Sequence, residues 1–189
     1  KDVVCVIDLM RQEGLLANAE DMTAYIRKGD TQNKSARVLS RYAKLESFLL
    51  SDISEEGHSY SLKELNEDAE INGITGTSVK AIKTLLYFWT IKNYIEKHHD
   101  STEKDTPICP CYTISELKAK AEKRHAICEK VLEYLYQSAK EQTSSEKDEV
   151  MVEFSALKLL EYCSDNLRLV MSAEITMDEV KEALLYLSK

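Results

Sequence analysis

The stretch from Ser59 to Ile114, SYSLKELNEDAEINGITGTSVKAIKTLLYFWTIKNYIEKHHDSTEKDTPICPCYTI, decides the fold. Ser61-Leu62-Lys63-Glu64 has capping-box spacing, with Ser61 as the cap and Glu64 reaching back to it. The helix it opens is expected to end near Gly73. Thr75-Gly76-Thr77 restarts the chain, and Val79, Ile82, Leu85, Leu86 and Trp89 fall on one face at helical spacing. Two half-alternating runs follow, Ile91 to His98 and Ile108 to Ile114, joined by a polar tip that begins at Asp100. They predict a hairpin in which Pro107 and Pro110 suit an edge strand better than a central one.

Upstream, Asn33 begins a long helix to about Ile53, with Val38, Leu39, Tyr42, Leu45, Phe48 and Leu49 toward the core. Three helices and a hairpin over residues 33–114 make a winged-helix plan. Before it, Val3, Val4, Ile7, Leu9 and Met10 predict a helix closed by Gly14. A short helix from Glu20 to Arg27 is expected next, so that residues 1–32 read as the tail of a preceding helical unit. Downstream, Ser115 to Gln142 reads as one long helix with Leu117, Ala121, Ile127, Cys128, Val131, Leu132 and Leu135 inside. Thr143 to Glu149 reads as a polar linker, Met151 to Cys163 as a helix and Ser164 to Ala173 as an irregular connection. Thr176 then caps a last helix, with Glu179 in the capping-box position. Long helix, helix, helix recurs, and residues 115–189 read as a second winged-helix-like unit truncated before its wing. The expected class is mainly α with small β-hairpins, built from tandem winged-helix or helix-turn-helix-like units.

Few glycines (5) and prolines (2) in 189 residues agree with a mostly helical chain. No apolar run approaches the length of a membrane span, and no signal-peptide layout is present. The cysteines Cys5, Cys109, Cys111, Cys128 and Cys163 are odd in number and scattered, which predicts reduced thiols and a cytoplasmic setting. The chain starts at Lys1 within a helical pattern and stops just after the apolar run ending at Leu187, so a piece of a longer protein is expected.

A net charge of −8 argues against a chain built mainly to coat nucleic acid. Its distribution is uneven. Residues 76–112 carry five lysines against four acids, whereas the flanking regions are net acidic. Lys34, Arg37, Arg41 and Lys44 form one stripe at helical spacing on the Asn33 helix. Lys80, Lys83 and Tyr87 lie opposite the apolar face of the presumed recognition helix, and Lys92, Lys97, His98 and His99 follow into the hairpin. In a winged helix such positions can meet the major groove and flanking phosphates. An ordinary solvated face, balanced by acids nearby, is the more frequent origin of a basic stripe on an amphipathic helix and is weighed ahead of DNA contact for either stripe. The last helix carries Asp178, Glu179 and Glu182 against Lys181 and Lys189, a balance that repels phosphate.

Glu122, His125 and Glu129 share a helix face at a spacing known from di-metal sites, and Glu55 and His58 repeat part of the pattern. Two further inward carboxylates are lacking, and a solvated face with an ordinary His is the expectation. Cys109 and Cys111 would face His98 or His99 across the hairpin, but Cys-x-Cys with Pro110 between is not a zinc knuckle. The glycines at 14, 29, 57, 73 and 76 fit no phosphate-binding fingerprint, and no nucleophile elbow is present. Neither metal nor cofactor nor catalytic centre is expected in this chain.

Several ungapped phrases carry a family resemblance. They are Asp2-Val-Val-Cys-Val-Ile-Asp-Leu-Met-Arg-Gln-Glu-Gly-Leu-Leu16, Asp21-Met-Thr-Ala-Tyr-Ile26 and Ile82-Lys-Thr-Leu-Leu-Tyr-Phe88. Lys123-Arg-His-Ala-Ile-Cys128, Glu133-Tyr-Leu-Tyr136 and Glu182-Ala-Leu-Leu-Tyr-Leu-Ser-Lys189 belong with them. Together they resemble the long RecQ-type ATP-dependent DNA helicases of Bacteroides-like bacteria, downstream of the motor. The resemblance implies a parent that unwinds duplex DNA with ATP and magnesium in repair or recombination. No motor residue transfers, because neither the phosphate loop nor the acidic magnesium motif occurs here. It also implies a winged helix that grips duplex DNA beside the motor, with His98 and His99 as wing-tip candidates by position.

The expected function is therefore non-catalytic binding of duplex or forked DNA through the first unit. The second unit would pack against the motor and other domains of the same chain. A protein-interaction scaffold without nucleic-acid contact is the alternative, and a transcription regulator a third.

Overall fold

A computed structural model describes residues 21–27, 29–96, 105–141, 149–168, 171 and 174–188. The helix expected over residues 3–14 and the wing tip with Lys97, His98 and His99 lie outside them.

The first element is a strand, β1 (Asp21–Arg27), where a short helix was expected. Met22, Ala24 and Ile26 alternate inward while Asp21, Thr23, Tyr25 and Arg27 face out, a period of two that a helix cannot present. Thr31 caps α1 (Gln32–Asp52) by accepting from the Lys34 N–H at 3.2 Å. The three-residue β2 (His58–Tyr60) is too short to leave a periodic signal. Ser61 then caps α2 (Leu62–Ile71) by accepting from the Glu64 N–H. Ser78 caps α3 (Val79–Ile91) by accepting from the Ala81 N–H.

Both α2 and α3 end in Schellman turns. Gly73, at φ +80°, lets the Ile74 N–H reach the Ala69 carbonyl. Asn93, at φ 55°, lets the Tyr94 N–H reach the Trp89 carbonyl.

The hairpin strands are shifted from expectation: β3, described over Ile95–Glu96, begins later than Ile91, and β4 (Thr106–Pro110) begins and ends earlier than the run expected over Ile108 to Ile114. Ile91 stays in α3 and Ile114 opens the next helix. The edge-strand expectation for the two prolines is overturned, because β4 lies in the middle of the order β2-β4-β3. Among the described residues neither proline nitrogen faces a ladder bond that it would have to donate. The Cys111 N–H bonds the Tyr94 carbonyl, so alternate nitrogens, including that of Pro107, face β3. Described β3 pairing ends at Glu96↔Cys109, short of Pro107. The Pro110 nitrogen faces β2, whose pairing ends at His58↔Ile108.

The long helix α4 (Ile114–Glu141) matches its expected extent. A second correction follows: β5 (Glu149–Ser155) occupies the expected start of a helix, and α5 (Ala156–Leu167) begins only after it. Val152 and Phe154 turn inward while Met151 and Glu153 turn out. The strand pairs antiparallel with β1 in the register Ala24↔Val152. Finally α6 (Met177–Leu187) has the full capping box, Thr176 and Glu179 each bonding the other's backbone.

The protein is thus mainly helical with small antiparallel sheets. Two runs share one element order, α1-β2-α2-α3 and α4-β5-α5-α6. Leu45, Leu49, Phe88, Trp89, Ile127, Val131, Ala183 and Tyr186 belong to one continuous core, so the two runs are packed together. Among the described residues no helix is long and apolar enough to cross a membrane.

Candidate nucleic-acid interface

Helix α3 buries Ala81, Ile82, Leu85, Leu86, Phe88 and Trp89. That stripe dictates what faces out, namely Lys80, Lys83 and Tyr87, the last 56% exposed. Neither lysine forms an ion pair with a described residue. The Thr84 hydroxyl bonds the Lys80 carbonyl at 3.0 Å and belongs to the same side of the helix. Lys92 differs. It is half-buried at the end of α3 and meets Glu182 of α6 at 3.3 Å, so its charge is engaged within the chain.

The stripe on α1 divides likewise. Lys34 is held by Asp30 at 2.7 Å. Arg37 and Lys44 are exposed, and half-buried Arg41 lies over the Tyr42 ring at 5.7 Å. Arg37, Arg41 and Lys44 line one groove with the α2–α3 turn, while Lys34 lies in a neighbouring cleft beside Thr84. Lys97, His98 and His99 are not among the described residues.

What sequence reading missed is a buried polar cluster. Glu46 of α1 is 1% exposed, yet it accepts from Trp89 Nε1 at 2.6 Å and from Arg124 Nη2 at 2.5 and 2.6 Å. His125 Nε2 at 2.7 Å and the Tyr186 hydroxyl at 3.3 Å complete its shell. Arg124, 3% exposed, lies against the Phe88 and Tyr186 rings at 4.8 and 4.6 Å, which themselves meet edge-on, and also reaches Glu182 at 3.4 Å. The Tyr94 hydroxyl bonds Glu182 as well.

Burial by itself would raise the Glu46 pKa. The hydrogen bond from His125 and the Arg124 charge outweigh it, and the carboxyl sits at about 2. The same ion pair outweighs burial at Arg124 and raises its pKa. Burial pushes the Tyr186 hydroxyl up. The cluster works as a weld between α1, α3, α4 and α6. Its signal in the sequence was one acid within the apolar stripe of α1 and one base within that of α4.

The remaining candidates are placed as follows. Glu122, His125 and Glu129 do line one cleft, but the His125 ring nitrogen Nε2 is directed to Glu46. Glu55 accepts from the Ile114 N–H at 2.8 Å, and His58 packs edge-on against Tyr60. Among the described residues no group of His, Cys, Asp and Glu could hold a metal ion. Cys128 and Cys163 are buried free thiols, and burial pushes Cys163 up to about 12. On α6, Glu179 meets Lys123 at 2.6 Å and Glu182 faces the Arg124 cluster, so two of the three acids expected to repel phosphate are turned into the protein.

Comparison with protein-family models, with curated proteins and with solved structures finds no match to this chain.

Proposed function

We propose that residues 33–114 are a winged-helix module that binds duplex or forked DNA, with α3 as its reading helix. The element order helix, strand, helix, helix, strand, strand supports this, as does the sheet order β2-β4-β3. The observation that carries the reading is the outer face of α3. It presents Lys80, Lys83 and Tyr87 with no acid on the helix, in a chain of net charge −8. A helix so placed can enter the major groove while its lysines meet phosphates.

Residues 115–189 form the second unit in this reading, with β1 lying along β5. The chain supplies binding and no catalysis. Its parent is a cytoplasmic RecQ-like ATP-dependent helicase acting in DNA repair or recombination, on the phrases quoted above. ATP and magnesium belong to that motor. A scaffold that meets only proteins is the second reading. It is favoured by Tyr25 and Met151, cross-strand partners exposed on the outer face of the β1–β5 ribbon.

A salt titration of fluorescent forked and duplex DNA against the chain tests the choice. DNA binding predicts affinity that falls steeply with salt and is lost in Lys80→Glu/Lys83→Glu. The absence of binding at low salt and high protein concentration would leave the scaffold reading.

A further inference from the structure

The groove between α1 and the α2–α3 turn has a volume of about 620 Å3 and is lined by Arg37, Arg41 and Lys44 with the turn residues Gly73 to Gly76. No acid lines it, although the chain as a whole is acidic. None of the three cations forms an ion pair with a described residue, in contrast to Lys34 and Lys92. We propose that this groove seats a backbone phosphate of bound DNA, a second contact beside α3. The inference rests on the DNA-binding reading above and adds a site to it.

The turn is shaped for such a seat. Gly76 has φ +71°, and a Cβ there would come within 3.1 Å of Arg41 Nη1. The positive φ favours glycine, and the missing side chain leaves the guanidinium close to the backbone without a tight Cβ contact. The same guanidinium lies over the Tyr42 ring at 5.7 Å. A planar fork held in place is the side chain best matched to phosphate oxygens. The negative end of α2 does not oppose it strongly. The Ala69 and Glu70 carbonyls are already bonded by the Ile74 and Gly73 N–H groups.

The groove also joins the α3 surface. Val38, 43% exposed, borders both it and the cleft that holds Thr84. The groove and the Thr84 side of α3 are thus neighbouring surfaces, separated by the mostly apolar cleft that Val38 borders.

The test is fluorescence anisotropy of labelled duplex DNA from about 50 to about 200 mM NaCl. The unaltered chain is compared with Lys80→Glu/Lys83→Glu and with Arg37→Gln/Arg41→Gln/Lys44→Gln, each checked by thermal melting. If the triple variant is unfolded, Arg37→Gln/Lys44→Gln replaces it and leaves Arg41 packed on Gly76. The expected result is an affinity loss of about tenfold or more at the lowest salt, with the log–log salt slope shallower by about 0.9 for each phosphate contact removed. Unchanged affinity and slope in the groove variant, with binding lost in the α3 variant, would overturn the groove and leave the α3 reading standing. Loss in the groove variant alone would keep the groove and overturn α3 as the reading helix. No DNA binding by the unaltered chain overturns both. Inorganic phosphate that binds the unaltered chain and not the groove variant, while the groove variant leaves DNA affinity and salt slope unchanged, would assign the groove to a small anion and overturn a polymer backbone as its ligand.

Discussion

Helices α3 and α6 close two runs of the same element order, and both start from a side-chain cap, Ser78 and Thr176. Their polar faces are used in opposite ways. On α3, Lys80 and Lys83 point to solvent without an ionic partner among the described residues. On α6, Glu179 and Glu182 turn to Lys123, Arg124 and Lys92 and help bind the runs together. One local design thus yields a surface that can receive a partner and a surface spent on internal packing. Helical amphipathicity alone does not distinguish them, because the choice depends on which neighbour stands opposite.

Breaking the weld has the largest expected effect. Arg124→Met leaves the Glu46 carboxylate buried without its main countercharge. The cost is about 3–5 kcal/mol of stability, measured by urea unfolding. A double variant, Glu46→Leu/Arg124→Met, should recover much of that loss, since removing both partners avoids an unpaired buried charge.

The same cluster sets the acid limit. The Glu46 carboxyl lies at about 2 when folded, below its ordinary 4.5. Its contribution is complete above the ordinary value and is lost as pH falls from there toward 2. Stability measured across that interval should drop by on the order of 2–3 kcal/mol from this group. Glu46→Gln in the same titration should show a smaller drop.

The α3–α6 contrast itself is sharpened by charge reversal. Lys80→Glu/Lys83→Glu should weaken duplex binding about tenfold or more at low salt. Lys181→Glu, on the exposed face of α6, should change affinity by less than about twofold by the same anisotropy measurement. Equal losses would erase the distinction between the helices.

The smallest effects concern what the two helices share. Ser78→Ala and Thr176→Ala each remove a cap hydrogen bond and should cost about 1 kcal/mol by thermal melting. Similar costs would show that the helices differ in their outward chemistry and not in how they start.

Particular residues explain what was legible in the chain. Ser61 and Thr176 marked helix starts because a capping hydrogen bond is local, spanning three residues. The apolar spacing of α1, α3 and α4 showed the buried faces for the same reason, except at Val38, expected toward the core and 43% exposed. Strands β1 and β5 were read as helices because each is seven residues long and gains its stability from the other, more than a hundred residues away. The place of Pro107 and Pro110 in a central strand depended on the short and distant β2 pairing with β4, a contact that no local pattern announces.

Sequence by itself determined the helical class, most helix boundaries and the positions of the basic residues, all properties of neighbours within a turn or two. Tertiary structure decided which of those charges are engaged. It sent Lys92 and Glu182 together, buried Glu46 against Arg124, and brought Arg41 onto Gly76. Each of those contacts joins residues far apart in the chain. Helical periodicity says which side of a helix faces in, but burial and charge pairing depend on the residue that packing brings opposite.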